Sequence, residues 1–123
     1  MTISRNRANG KRYEGELVKL LRGISLDARL GRSNEEGDII LSKFDIIIEA
    51  KSTKNAKYNI RKALEQYNRL RKLHAEVWYA IRYKGRGIAG WRLYPMPPKP
   101  IMLHPTEGMT LREFALIKEV DAL

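Results

Sequence analysis

Residues 37 to 51 read GDIILSKFDIIIEAK. Two apolar runs, Ile39-Ile40-Leu41 and Ile46-Ile47-Ile48, flank the turn-like Ser42-Lys43, a pattern that predicts a hairpin of two buried β-strands. Three charged residues stand where a core hairpin should have none. Asp38 opens the first strand, and Glu49 and Lys51, two apart near the end of the second, share a face by strand alternation. Ile46 and Ile48 oppose Ile47, so both faces are expected to be covered, and charges ending a doubly buried strand are costly without partners. The plainer alternative makes Glu49 and Lys51 an ion pair at a solvated strand end and Asp38 a turn residue after Gly37.

An acid, a hairpin and an acid-x-lysine resemble the active-site hairpin of the PD-(D/E)xK nucleases. That resemblance implies that Asp38 and Glu49 hold a divalent metal and that Lys51 neutralises charge on the attacked phosphate. The residue types suit the chemistry. Mg2+ is a hard ion that prefers oxygen ligands, keeps several waters and is commonly bound by one or two carboxylates plus a substrate phosphate. Water on such an ion is easier to deprotonate, and an ammonium beside the phosphodiester stabilises its developing negative charge.

The chain has 123 residues, the size of one domain (1–123) with a core of its own but too small to enclose a substrate alone. Its 24 Lys and Arg against 14 Asp and Glu give a formal charge of +10, which favours a polyanionic partner, nucleic acid or an anionic membrane. No apolar segment approaches the roughly 20 residues that span a bilayer, and no signal-peptide pattern opens the chain, so a cytoplasmic protein without membrane partners is expected, in the host cytoplasm if a virus encodes it. The absence of cysteine excludes a disulfide framework and a thiolate zinc site.

Residues 1–12 carry Arg5, Arg7, Lys11 and Arg12 with no acid, which reads as a flexible basic arm, either meeting nucleic-acid phosphates or an ordinary terminus. From Lys11 to about Arg22, Tyr13, Leu17, Leu20, Leu21 and Ile24 follow the spacing of one buried helical stripe, with Gly23 as its stop. Glu14 falls inside the apolar half of that helix, as a third acid over the metal site or as a partly buried capping acid. Leu26 to Leu30 predicts a short edge strand, and the polar loop 31–37 leads to Asp38; Arg29, Arg32 and Ser33 would contact substrate there, although a turn role also fits Ser33.

Beyond Lys51, Lys54 and Lys57 precede a second helix from about Asn59 to His74, with Ile60, Ala63, Leu64, Tyr67 and Leu70 inward and Arg61 and Lys62 on a basic face placed to meet a duplex. Strands are predicted at Glu76 to Tyr83, Gly90 to Tyr94 and Ile101 to Leu103, with the prolines at 95, 97, 98 and 100 arguing for a sheet edge. Thr110 to Glu113 is a capping-box start for a C-terminal helix carrying Leu111, Phe114 and Ile117. His74 and His104 read as structural or surface residues.

Taken in order, RYEGELVKLL, GRSNEEGDIILSKFDIIIEAKST, VWYAIRY, GWRLYP and HPTEGMTL resemble the archaeal-type Holliday junction resolvases along nearly the whole chain. The resemblance implies an α/β fold, a central mixed β-sheet flanked by helices with a restriction-endonuclease-like core. It assigns catalytic roles to Glu14, Asp38, Glu49, Lys51 and Ser33, metal binding to Asp38, Glu49 and Glu14, and phosphate contact to Arg29. It further implies Mg2+ or Mn2+ as cofactor, a homodimer, and paired nicking of DNA four-way junctions. Two departures bear on phosphate contacts: the residue after the helix glutamate, often arginine in that family, is Gly15, and the Arg29 to Asp38 loop is about one residue longer. A flap-cutting or duplex-cutting relative and a non-catalytic basic DNA-binding protein are the competing readings. The aromatic strands 77–83 and 91–94 and the segment 95–103 are the candidate dimer surface, with the alternative that Trp78 and Trp91 fill the chain's own core.

Overall fold

The computed structural model describes residues 2–24, 26–31, 38–85, 88–96 and 102–121, without the side chains of 2–11, 88–89 and 120–121. Ser33 and Arg32, and the side chains of Arg5, Arg7 and Lys11, lie outside the described residues.

The predicted hairpin is present. Strands β2 (Ile39–Leu41) and β3 (Ile46–Thr53) pair antiparallel, Ile39 opposite Ile48, Ile40 opposite Ile47 and Leu41 opposite Ile46. The turn spans four residues rather than Ser42-Lys43 alone, and Asp45 closes it at φ 54°, a left-handed conformation that aspartate tolerates better than most residues. The Asp45 carboxylate then accepts a bond from the Ala75 amide at 2.9 Å and meets His74 Nδ1 at 3.1 Å, so His74 serves the entry to the next long strand.

Strand β1 (Ala28–Leu30) forms one edge of the sheet beside β2, and β5 (Glu76–Gly85) runs parallel to β3 on its other side. Strand β6 (Ile88–Pro95) returns antiparallel to β5 at the far edge, completing a mixed five-stranded sheet of order β1-β2-β3-β5-β6. The short strands β4 (Tyr58–Asn59) and β7 (Met102–Leu103) pair separately. Helix α1 (Thr2–Gly23) and helix α3 (Leu111–Asp121) supply Leu17, Val18, Leu21 and Phe114 to a core that meets Ile39, Leu41, Ile46, Ile48, Trp78 and Leu93. On the other face helix α2 (Arg61–Leu70) sets Leu70 against Ile40, Ile47 and Val77, and Ala63 against Tyr79 and Ile81. The alternation of the isoleucines therefore does what it predicts, since each odd-even step of β3 finds a helix layer.

Several expectations need correction. Helix α1 starts at Thr2 rather than near Lys11, so residues 2–12 form its first three turns; the segment holds no proline, and Gly10 alone, at about 1 kcal/mol, does not interrupt it. Leu20, expected inside, is exposed, and Val18 is buried in its place. Helix α2 is shorter than predicted, ending at Leu70 before a turn. Strand β5 is interior, and Val77, Trp78, Tyr79, Ala80, Ile81, Tyr83, Trp91, Leu93 and Tyr94 are buried within the chain itself, so among the described residues these are core side chains and not a surface for a second subunit; residues 97–101 of the candidate segment lie outside the described residues.

The capping box at α3 is formed as predicted: the Thr110 hydroxyl accepts from the Glu113 amide and the Glu113 carboxylate from the Thr110 amide. The stripe that follows holds at Leu111 and Phe114 and fails at Ile117. Ile117 is exposed and Lys118 is buried at 3 %, its ammonium bonded to both Glu76 oxygens at 3.0 Å and lying over the rings of Trp78 and Phe114. A carboxylate and two aromatic faces compensate the buried charge, which an isoleucine could not use. Phe114 meets Trp78 edge-on at 4.8 Å. Phe114→Ala is therefore expected to cost about 3–5 kcal/mol in urea unfolding, whereas Ile117→Ala stays within ~0.5 kcal/mol. Equal losses at the two positions would contradict this packing.

Candidate active site

The site is built where β2 begins and β3 passes its midpoint. Register fixes it: Ile39 pairs with Ile48, so one step outward along the ladder Asp38 stands across from Glu49. Asp38 is half-buried, and its Oδ2 accepts the Ala50 amide at 2.8 Å, which anchors the carboxylate to the neighbouring strand. Glu49 is only 5 % exposed, and its Oε1 is buried without a hydrogen-bond partner. Lys51, next on the same face, is exposed.

Two facing carboxylates, one of them buried, cannot both ionise without help. Burial above all, then the Asp38 charge and a hydrogen bond with Asp38, pushes Glu49 up from 4.5 to about 8; Lys51 opposes this, and Glu14 adds to it. A shared proton is one way to satisfy such a pair. A cation between the oxygens is the other, and the donor set, two carboxylates with one partnerless oxygen and no nitrogen or sulfur, suits a hard divalent ion that completes its shell with water and substrate oxygens. Among the described residues no three His, Cys, Asp or Glu side chains converge as ligands. Glu14, half-buried on α1, acts on Glu49 through its charge.

The structure also places residues that the sequence reading did not single out. Tyr79 lies opposite Glu49 in the parallel β3–β5 register, and its ring is 6.0 Å from that of Tyr58. Burial, then a hydrogen bond to Tyr58, then the charges of Glu49 and Asp38, raise the Tyr79 phenol above its ordinary range, so it is a neutral wall beside the acids. Nothing local in the sequence signals this, because the register comes from a strand that enters after α2.

Other predicted residues fall elsewhere. Arg29 Nε donates to Ser42 Oγ at 3.2 Å, toward the hairpin turn and the opposite end of β2 from Asp38. Lys54 and Lys57 are exposed between β3 and β4, and Arg61 and Lys62 are exposed in the first turn of α2. Arg12, on α1, joins Lys54 in lining an open cleft with Arg82 and Lys84.

No protein-family model and no curated protein sequence matches the chain. Among solved structures it is similar to Hjc of Archaeoglobus fulgidus, a Holliday junction resolvase from an archaeal hyperthermophile, at 22 % identity and TM-score 0.67, over 87 % of this chain and 95 % of that one. The likeness shows the fold, an α/β arrangement with a central mixed sheet flanked by helices.

The raised acid has a measurable consequence. The folded chain keeps the Glu49 proton up to about pH 8, while the unfolded chain loses it near 4.5, so the unfolded state binds fewer protons between these values and stability falls as pH rises through that window. Glu49→Gln removes the titration. In urea unfolding without divalent ions, the variant should gain on the wild type progressively between 4.5 and about 8, with no further change above. A difference that stays constant across that window would contradict the assignment.

Proposed function

We propose that the chain is a structure-specific DNA endonuclease that resolves four-way junctions by metal-dependent phosphodiester hydrolysis. The observation that carries this reading is the buried Glu49, with a partnerless oxygen, set against Asp38 and followed by the exposed Lys51 on the same strand face. The resolvase-like fold and the charge of +10 support it.

Asp38 and Glu49 would hold Mg2+, with Mn2+ as a substitute, and the bound ion would supply an activated water and charge neutralisation. The remaining work belongs to the chain. The Ala50 amide fixes the direction of the Asp38 carboxylate before substrate arrives, so little reorganisation is needed. Lys51 brings an ammonium to the nonbridging oxygens, where negative charge accumulates. Tyr79, neutral and buried beside Glu49, keeps water from the inner side of the pair. Glu14 adds negative charge beside the pair, which favours any positive charge bound there, a proton or a cation. Resolving a junction into two ligatable duplexes requires cuts on two opposed strands, and each chain offers one acid pair, so the working unit is a symmetric homodimer.

A labelled immobile four-way junction, beside linear duplex, flap and fork, tests the reading. Cleavage of the junction should need Mg2+ or Mn2+, stop in EDTA and be poorly supported by Ca2+. Asp38→Asn, Glu49→Gln and Lys51→Ala should each slow it at least ~100-fold, about 2.7 kcal/mol or more of transition-state stabilisation, while junction affinity survives. On a cruciform plasmid the dimer should yield linear product within one binding event. Full activity in EDTA, equal cutting of all four substrates, or nicked circles alone would each refute the corresponding part.

A further inference from the structure

The acids and Lys51 occupy the α2 side of the sheet, but a second basic feature lies across it. Arg82 and Lys84 alternate with Tyr83 on β5, so they share the face of Trp78 and Ala80, which pack on the α1 side. Ser52 pairs with Arg82 across the parallel register and faces the same way. Together with Arg12, Tyr13 and Glu16 of α1, and with Thr53 and Lys54, they line an open cleft of about 930 Å³. Four of those side chains are cations and one, Glu16, is an acid. The volume is that of a pocket for a ligand of drug size, so a lone inorganic anion would leave most of it empty. Ser52 and Thr53 add hydroxyl donors, and the Lys84 ammonium sits 6.0 Å from the Tyr13 ring, a flat surface at the cleft wall.

We propose that this cleft is a second phosphate-binding subsite, taking the nucleic-acid backbone beyond the attacked phosphate, and that Glu16 holds its place on Arg82 until the backbone arrives. The proposal rests on the nuclease reading for the identity of the polyanion. Lys51 and Thr53 are two residues apart on β3, about 7 Å of strand, so a backbone leaving the catalytic face over the end of β3 passes directly from one set of cations to the other. Glu16 Oε2 meets Arg82 Nε at 3.1 Å, and both side chains are partly exposed, 42 % and 31 %. Such a pair is weakly held. A phosphodiester accepts a guanidinium fork in two parallel bonds and also draws on Lys54, Lys84 and Arg12, so it displaces the carboxylate. The opposite sign of Glu16 then makes the site selective, since an anion that cannot engage several cations at once does not release Arg82.

The test uses the full chain carrying Asp38→Asn, which stops cutting, and measures binding of a labelled immobile four-way junction by fluorescence anisotropy across a salt series. Combining Arg82→Gln with Lys84→Ala should weaken binding at least ~10-fold and flatten the slope of log affinity against log salt by roughly 0.9 for each lost contact. Glu16→Gln should do the reverse, tightening binding about 3-fold or more and steepening the slope by up to about 0.9. Circular dichroism and urea unfolding confirm that each variant is folded, and Lys84→Ala alone, which leaves the Arg82 pair intact, still weakens binding if Arg82→Gln proves unstable. Unchanged affinity and slope in the folded Arg82 and Lys84 variants, with the Asp38→Asn parent binding normally, would overturn the subsite and leave the nuclease reading standing. An unchanged Glu16→Gln would overturn the place-holding role. A parent that binds no DNA would overturn both the nuclease reading and the subsite. Poly-glutamate bound with the same dependence on Arg82 and Lys84 would reassign the cleft to an acidic protein chain and overturn the proposal as stated.

Discussion

A carboxylate held at 5 % exposure across from another carboxylate is the constraint on which this molecule turns. Burying a polar group without a partner costs free energy, and a second acid beside it raises the cost. The surrounding residues make the arrangement possible. Ile46, Ile47 and Ile48 give β3 apolar contact on both faces, and helix layers on each side of the sheet lock the strand at a depth from which Glu49 cannot withdraw to solvent. Asp38 is prevented from turning away by the Ala50 amide. The pair is left with a proton or a cation as its means of relief, and the charge of Glu14 makes that relief the more necessary.

The sheet divides the chemistry between its faces. On the α2 side stand the acids, the exposed ammonium of Lys51 and the neutral Tyr79; on the α1 side lies the basic cleft with Arg82. Both arise from alternation on the same parallel pair of strands, β3 and β5, because consecutive side chains must point to opposite faces. A polyanion that crosses the end of β3 can therefore meet both sets of charges without any movement of the backbone. The C-terminal segment braces the far side: Tyr94 donates to the His104 carbonyl at 2.8 Å and shares a 2.8 Å bond with Tyr83. Gly108 is required there, since a Cβ would lie 2.6 Å from the Tyr94 ring.

Local pattern revealed the parts of the structure governed by local physics. The hairpin followed from its two isoleucine-rich runs, the facing of Glu49 and Lys51 from a period of two, and the start of α3 from Thr110 and Glu113. What depended on distant pairing was hidden. Tyr79 reaches the acids because β5 enters parallel to β3 after a helix, and no spacing within the sequence fixes that register. Lys118 displaces Ile117 from the interior because Glu76, Trp78 and Phe114 assemble around an ammonium, a compensation invisible to a hydrophobic stripe. The strands 77–83 and 91–94 suggest a subunit surface because their apolar residues exceed what one small core needs; in the folded chain Trp78 and Trp91 lie on the α1 side among its apolar residues, as the alternative reading has it. Arg12 and Arg82 were scattered charges in sequence, and only the packing of α1 over β5 makes them one cleft.

The central claim is that Glu49 is kept buried and protonated so that a divalent ion can replace its proton. NMR observation of the Glu49 side-chain carboxyl carbon during a pH titration, with and without Mg2+, addresses this at the atom concerned. Without metal the carboxyl should titrate near pH 8, and with saturating Mg2+ it should be ionised at neutral pH and titrate well below that value. A carboxyl that titrates near its ordinary 4.5 and takes no notice of Mg2+ would contradict the account.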